Sequence, residues 1–222
     1  MIDRRTLLIG MSATLAGCVA DQSDGPAAQM RRPAADLVTH YGPVEGEPFP
    51  VPGIDLATVD PGVLRREVAD PTGERTGTIV VDATARYAFL VLEGGRALRY
   101  GVGVGREAAF NFVGEATIAR KAEWPGWRPT PAMIEREPDR YGPLADGLPG
   151  GPQNPLGPRA LYLYRDGRDT YYRLHGTVEP RTIGTTVSSG CIRLFNQDII
   201  DLYRRVPVGT RVVVLPVGES VA

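Results

Sequence analysis

From Thr78 onward the chain is a succession of short β-forming runs, nearly every one of them closed by glycine or proline. Thr78-Ile79-Val80-Val81, Tyr87 to Leu92, Ala97 to Tyr100 and Val102 to Val104 come in close order. Branched and aromatic residues of this kind suit a pleated, half-buried surface. Glu93-Gly94-Gly95-Arg96, between two such runs, reads as a hairpin turn. Further strands are expected near Ala116–Ala119, Ala160–Tyr164, Tyr171–Leu174 and Thr210–Leu215. With 27 Gly and 20 Pro in 222 residues, long helices have little room. One segment escapes that rule. Asn196–Arg205 carries Ile199, Ile200, Leu202 and Tyr203, with Asn196 as expected N-cap, Asp198 in the first turn and Arg204-Arg205 at the end. The pattern predicts a mainly β domain with a single substantial helix. Between the strands lies a long stretch without regular period, residues 124–159, which holds Trp124, Trp127 and a short helical signal at Pro131–Glu137. A stretch of this length inside a compact domain is usually functional or mobile. Here it would wall or cover a cleft, or be anchored to the core by its tryptophans.

The N-terminus reads differently. A charged start with Arg4-Arg5 precedes an apolar run through Leu7, Leu8, Ile9, Leu15 and Ala16, too short and too rich in small residues for a membrane span. Arg4-Arg5-Thr6-Leu7-Leu8 resembles a twin-arginine export motif, with Asp3 where a hydroxyl residue is usual. Leu15-Ala16-Gly17-Cys18 resembles a lipobox, so residues 1–17 are read as a signal peptide and Cys18 as a lipidated anchor. The expected location is the periplasm of a Gram-negative bacterium, on a membrane. Residues 18–73 are then a tether and transitional segment, rich in Pro, Gly, Ala, Asp and Gln at first, and 74–216 the folded domain. His40 falls in the tether and carries no expected role. If Cys18 is consumed by lipid, an intrachain disulfide with the only other cysteine, Cys191, is excluded. A formal net charge of -1 provides no global field that would draw the chain to nucleic acid.

The chemistry concentrates in one segment: Tyr172-Arg173-Leu174-His175-Gly176-Thr177, then Ile183-Gly184, then Ser188-Ser189-Gly190-Cys191-Ile192-Arg193. A thiol needs a nearby base to act as a nucleophile near neutral pH, and imidazole is the natural one. Small residues before Cys191 allow a tight turn whose amides can face a developing oxyanion. Arg193 adds a positive charge that would lower the thiol pKa or bind a carboxylate. A buried core cysteine and a structural histidine fit the same spacing. A metal site does not, because one Cys and one His supply too few ligands.

These residues resemble the signature of the L,D-transpeptidase (YkuD) family: His-Gly-Thr, a spaced glycine, then Ser-x-Gly-Cys-Ile/Val-Arg. The likeness extends to Gly184, Asp198, Asn154-Pro155-Leu156-Gly157 and Gly101-Val102-Gly103-Val104-Gly105, and spans roughly Thr76 to Leu215. It implies an L,D-transpeptidase-like β-sandwich or barrel whose main helix follows the catalytic cysteine. It also implies a cysteine acyltransferase that needs no cofactor or metal and acts on peptidoglycan stem peptides. Cys191 would be the nucleophile and His175 the base, with the Gly176 carbonyl orienting the imidazole. The amides of Ser189, Gly190 and Cys191 would form the oxyanion hole, and Ser188 and Arg193 would shape the site or hold stem-peptide carboxylates. Transpeptidation through a thioester, with a diaminopimelate side-chain amine as acceptor, is the expected reaction. The same site would serve an L,D-carboxypeptidase or a protein-to-peptidoglycan ligase, and a non-catalytic peptidoglycan-binding lipoprotein would keep the fold. A thiol redox role is disfavoured by the absence of Cys-x-x-Cys.

Overall fold

The computed structural model describes residues 35–105, 112–188 and 190–222. The expected signal peptide, Cys18 and Ser189 lie outside the described residues, as does the side chain of Ser188.

The architecture is mainly β. Strands β1 (Arg66–Ala69), β2 (Ile79–Asp82), β3 (Tyr87–Val91) and β4 (Arg96–Gly101) precede a short β5 (Val104–Gly105). Then come β6 (Gly114–Glu123), β7 (Arg159–Arg165), β8 (Arg168–His175), β9 (Thr186–Ser188), β10 (Ile192–Arg193) and β11 (Arg211–Val214). Nine of them form one mixed sheet in the order β1-β4-β3-β2-β11-β6-β7-β8-β10, while β5 and β9 pair separately. The β2–β3–β4 meander and the β6–β7–β8 meander are antiparallel. β11 joins them, parallel to β2 and antiparallel to β6. The far edge curls back: Gly103, just past β4, and Arg193 exchange both main-chain hydrogen bonds at 2.9 Å. That exchange brings the β10 edge to the exit of β4, so the sheet rolls on itself.

The roll explains why β2 is buried at every position instead of alternating. Ile79 and Val81 face the main core with Leu90, Tyr100, Ile118, Leu161, Leu163 and Leu174, whereas Val80 packs on the other side with Phe89 and Ala97. Helix α4 (Asn196–Arg205) seals the main core through Ile199 and Leu202, with Val206 just past its end. The spacing of these residues is that of one helical face. Its N-cap is Phe195 rather than Asn196. The Asn196 carboxamide oxygen instead accepts from the Thr177 amide at 2.9 Å, so the expected capping side chain serves the turn after β8.

Residues 35–73 depart from the expected tether. α1 (Ala35–His40) and the loop after it are folded onto the domain, with Tyr41 1% and Val51 3% exposed. His40 Nε2 lies 2.8 Å from Asp198 Oδ1, and the Tyr41 hydroxyl donates to Asp198 Oδ2 at 3.1 Å. The Gln197 amide donates to the carbonyls of Gly42 and Pro52. Glu47 pairs with Arg159 at 2.6 Å, with both side chains under a tenth exposed. The composition suggested a solvated linker because its first part is rich in Pro, Gly, Ala, Asp and Gln and shows no sustained period. Buried polar partners on α4 and β7 hold it instead, and such partners are invisible to a composition count.

Candidate active site

Strand pairing sets the geometry. β10 runs parallel to β8 with Ile192 opposite Leu174 and Arg193 opposite His175, which places Cys191 at the level of Arg173. Residues sixteen apart in sequence thereby open onto the same cavity, about 740 Å³ in volume, which both His175 and Cys191 line. Gly190 holds φ +129°, a conformation that a side chain at that position would strain, and delivers Cys191 to the cavity wall.

His175 is 4% exposed, and its Nδ1 donates to the Gly176 carbonyl at 2.6 Å. A carbonyl only accepts, so the ring proton sits on Nδ1 and Nε2 keeps a lone pair. The turn that presents this carbonyl is tightly held. A Cβ on Gly176 would lie 2.3 Å from Asn196 Oδ1 and 2.9 Å from Pro158, so only glycine fits between β8 and α4. The Asn196–Thr177 bond fastens the next residue.

The electrostatics favour neutral partners. Burial lowers the His175 pKa to about 3, with Arg193 and Arg173 adding to the shift and the Gly176 bond opposing it. Burial raises the Cys191 thiol above its ordinary value, while Arg173 and Arg193 act against it. Both shifts, set first by burial, favour a thiol and a neutral imidazole over an ion pair. The thiol lies 3.7 Å from the Tyr171 carbonyl. Tyr171 itself is left-handed at φ +61° beside a register shift between β7 and β8, which turns that carbonyl toward Cys191.

The remaining walls come from the 124–159 stretch. Its Trp127 faces the cavity and pairs with Leu148 through two main-chain bonds of 2.9 and 2.7 Å. Trp124 anchors from behind, its indole donating to Glu47 at 2.8 Å and its ring against Phe49. Asn154, 1% exposed, staples the loop by donating to the carbonyls of Leu148 and Pro149. Thr130 caps α2 (Pro131–Arg136), which lies along the rim and is followed by α3 (Pro138–Tyr141). Arg193 lines the cavity but pairs with Glu179 at 2.7 Å. Among the described residues, no three His, Cys, Asp or Glu side chains gather as a metal site would require.

The L,D-transpeptidase catalytic domain, as a family, matches residues 76–214. The chain belongs to the L,D-transpeptidase catalytic-domain family. A probable L,D-transpeptidase ErfK/SrfK of Escherichia coli K12 is 35% identical over 170 residues, 74% of this chain and 53% of that protein. Its Salmonella typhimurium counterpart is 37% identical over 179 residues, 77% and 55% of the two chains. The chain thus spans just over half the length of these relatives. A solved Brucella melitensis chain, described as a probable carnitine operon oxidoreductase, is 50% identical and covers 71% of this chain and 96% of its own, with a TM-score of 0.49.

Within this L,D-transpeptidase-family domain, the structure brings together His175, Gly176, Gly190, Cys191 and Arg193. Sequence reasoning missed Asn196 as a strut and Arg173 and Arg120 as cavity residues. Arg173 was within reach, since it lies two residues before His175 on a predicted strand and therefore on the same face. Arg120 was not, because its place depends on cross-strand register.

Proposed function

We propose that the domain is a peptidoglycan L,D-transpeptidase that works through a thioester on Cys191. The observation that carries this reading is the His175 Nδ1–Gly176 carbonyl bond, which leaves Nε2 as the available base in the cavity shared with Cys191. Cys191 Sγ attacks the carbonyl at the L-centre of diaminopimelate in a tetrapeptide stem while its proton passes to His175 Nε2. The resulting oxyanion is met by the amides of Ser189, Gly190 and Cys191. Collapse expels D-Ala, whose amine takes the proton from His175, and leaves the thioester. The side-chain amine of a second stem then attacks, gives its proton to His175, and releases Cys191 as a thiol. Burial favours the neutral form of each resting partner, so charge develops during proton transfer. Ser188 and Arg193 are further proposed to shape the site or hold a stem-peptide carboxylate.

The chain is further proposed to be exported and held at a membrane of the periplasm through lipid on Cys18, on the strength of Leu15-Ala16-Gly17-Cys18. A Cys18→Ser variant is expected in the soluble fraction, and its retention on membranes would refute the anchor. The catalytic reading is tested by incubating tetrapeptide muropeptides with the wild type and with Cys191→Ala, followed by mass spectrometry. A cross-linked dimer with loss of D-Ala is expected from the wild type alone. Loss of D-Ala without dimer would assign water as acceptor, and full activity of Cys191→Ala would overturn the mechanism.

A further inference from the structure

Among the described residues, the cavity is lined by six arginines, Arg120, Arg128, Arg136, Arg140, Arg173 and Arg193, and by no aspartate or glutamate. Several are already neutralised by acids outside the lining. Arg193 has Glu179, Arg173 has Asp169 at 3.5 Å, and Arg140 and Arg136 share Glu137. Arg120 makes no ion pair among the described residues. It is exposed, yet its guanidinium lies 4.5 Å from the Tyr162 ring centroid. Arg173 lies 4.6 Å from the same centroid.

The three form a row across adjacent strands. Arg120 on β6 is the register partner of Tyr162 on β7, and Tyr162 is the partner of Arg173 on β8. The next strand is β10, with Cys191 just before it at the level of Arg173. The neighbour of Arg120 confirms the facing, because the ammonium of Lys121 donates to the carbonyls of Tyr203 and Val206, away from the cavity. A guanidinium stacked on an aromatic ring loses rotational freedom but keeps its in-plane N–H groups, the edge that matches a carboxylate.

We propose that the Arg120–Tyr162–Arg173 row is a carboxylate-binding subsite that recognises a free carboxylate of the stem peptide and rejects its amide. This rests on the transpeptidase reading for the identity of the peptide. The row extends away from the thiol along the sheet, so it grips the substrate beside the attacked carbonyl. Arg120 contributes a charge that the described residues leave uncompensated, and Arg173 contributes a second cation at the thiol end. An amide retains the shape but loses the charge and one acceptor, leaving the arginines without a counter-ion.

The test compares tetrapeptides with free carboxylates against versions amidated in turn at diaminopimelate and at the D-glutamate position. Calorimetric binding is measured on Cys191→Ala protein, and thioester formation on the wild type by intact mass. A preference on the order of tenfold for a free carboxylate is expected, expressed in Kd and KM rather than in kcat. Arg120→Gln, at an exposed position where folding is spared, is expected to bring the free-to-amide ratio close to one. Equal binding of all peptides by the Cys191→Ala protein, or an unchanged ratio in Arg120→Gln, would overturn the proposal. Should no peptide form a thioester, the transpeptidase reading fails, and the calorimetric ratio still decides the subsite.

Discussion

The chain has two histidines, and the structure gives them opposite employment. His40 is fastened to the Asp198 carboxylate, which is fully buried and also accepts from the Tyr41 hydroxyl. His175 is fastened to a main-chain carbonyl, with two arginines nearby. The first ring ties segments 158 residues apart, and its acceptor is a charged group taken out of water. The second is aligned by a neutral acceptor in a cationic surrounding, which opposes a further positive charge and keeps the nitrogen facing the cavity unprotonated. The acceptor of the ring proton and the charge around it, more than the histidine itself, separate a clamp from a base.

The largest effect expected from breaking this contrast is kinetic. His175→Ala should slow thioester formation by about 10²- to 10⁴-fold in single-turnover mass spectrometry, the range for losing a general base. His40→Ala should leave that rate within a few-fold of the wild type (about 2–3) while lowering stability, so the two variants should fail in different assays.

Next in size is the clamp. Asp198→Ala strands the Tyr41 hydroxyl and the His40 ring in a buried site, and about 3 kcal/mol of stability should be lost in urea unfolding. The His40→Ala/Asp198→Ala pair should lose less than the sum of the singles, because both remove the same bond. Glu47→Ala is expected to cost a similar ~3 kcal/mol by leaving Arg159, 6% exposed, with only the 3.8 Å contact to Glu123 as an ion pair. That loss would also show that the N-terminal strap belongs to the folded unit.

A further effect is the pH dependence of stability. His175 has a folded pKa depressed to about 3, so between that value and its ordinary range the unfolded chain binds a proton that the native state does not. Stability should therefore fall as pH drops through this window and level off below it. In His175→Gln the slope over the same window should be shallower, as read from urea midpoints at successive pH values.

Much of this was legible in the sequence. The β runs with their Gly and Pro breaks announced the meanders, and the spacing of Ile199 and Leu202 announced α4. The His-Gly-Thr and Ser-Ser-Gly-Cys segments marked the residues that strand pairing then brought to one cavity. The illegible parts share a physical cause. Asn196 looked like a cap because the local pattern allows one, but a distant amide claimed its side chain. Residues 35–53 looked like a tether because their binding partners, Asp198, Gln197 and Arg159, lie more than 100 residues away. Burial of the thiol, which works against the nearby arginines, is likewise not visible in sequence. Strand β1 was missed altogether, since Arg66-Glu67-Val68-Ala69 is mostly exposed and paired only at an edge.

The central claim is that Cys191 rests as a neutral thiol and loses its proton to His175 only as it attacks. The pH profile of Cys191 alkylation by iodoacetamide, followed by intact mass, tests it most directly. Reactivity should stay low through neutral pH and rise in a single step above the ordinary thiol range. A plateau of high reactivity reaching down to about pH 4, as a preformed thiolate–imidazolium pair gives, and lost in His175→Gln, would contradict it.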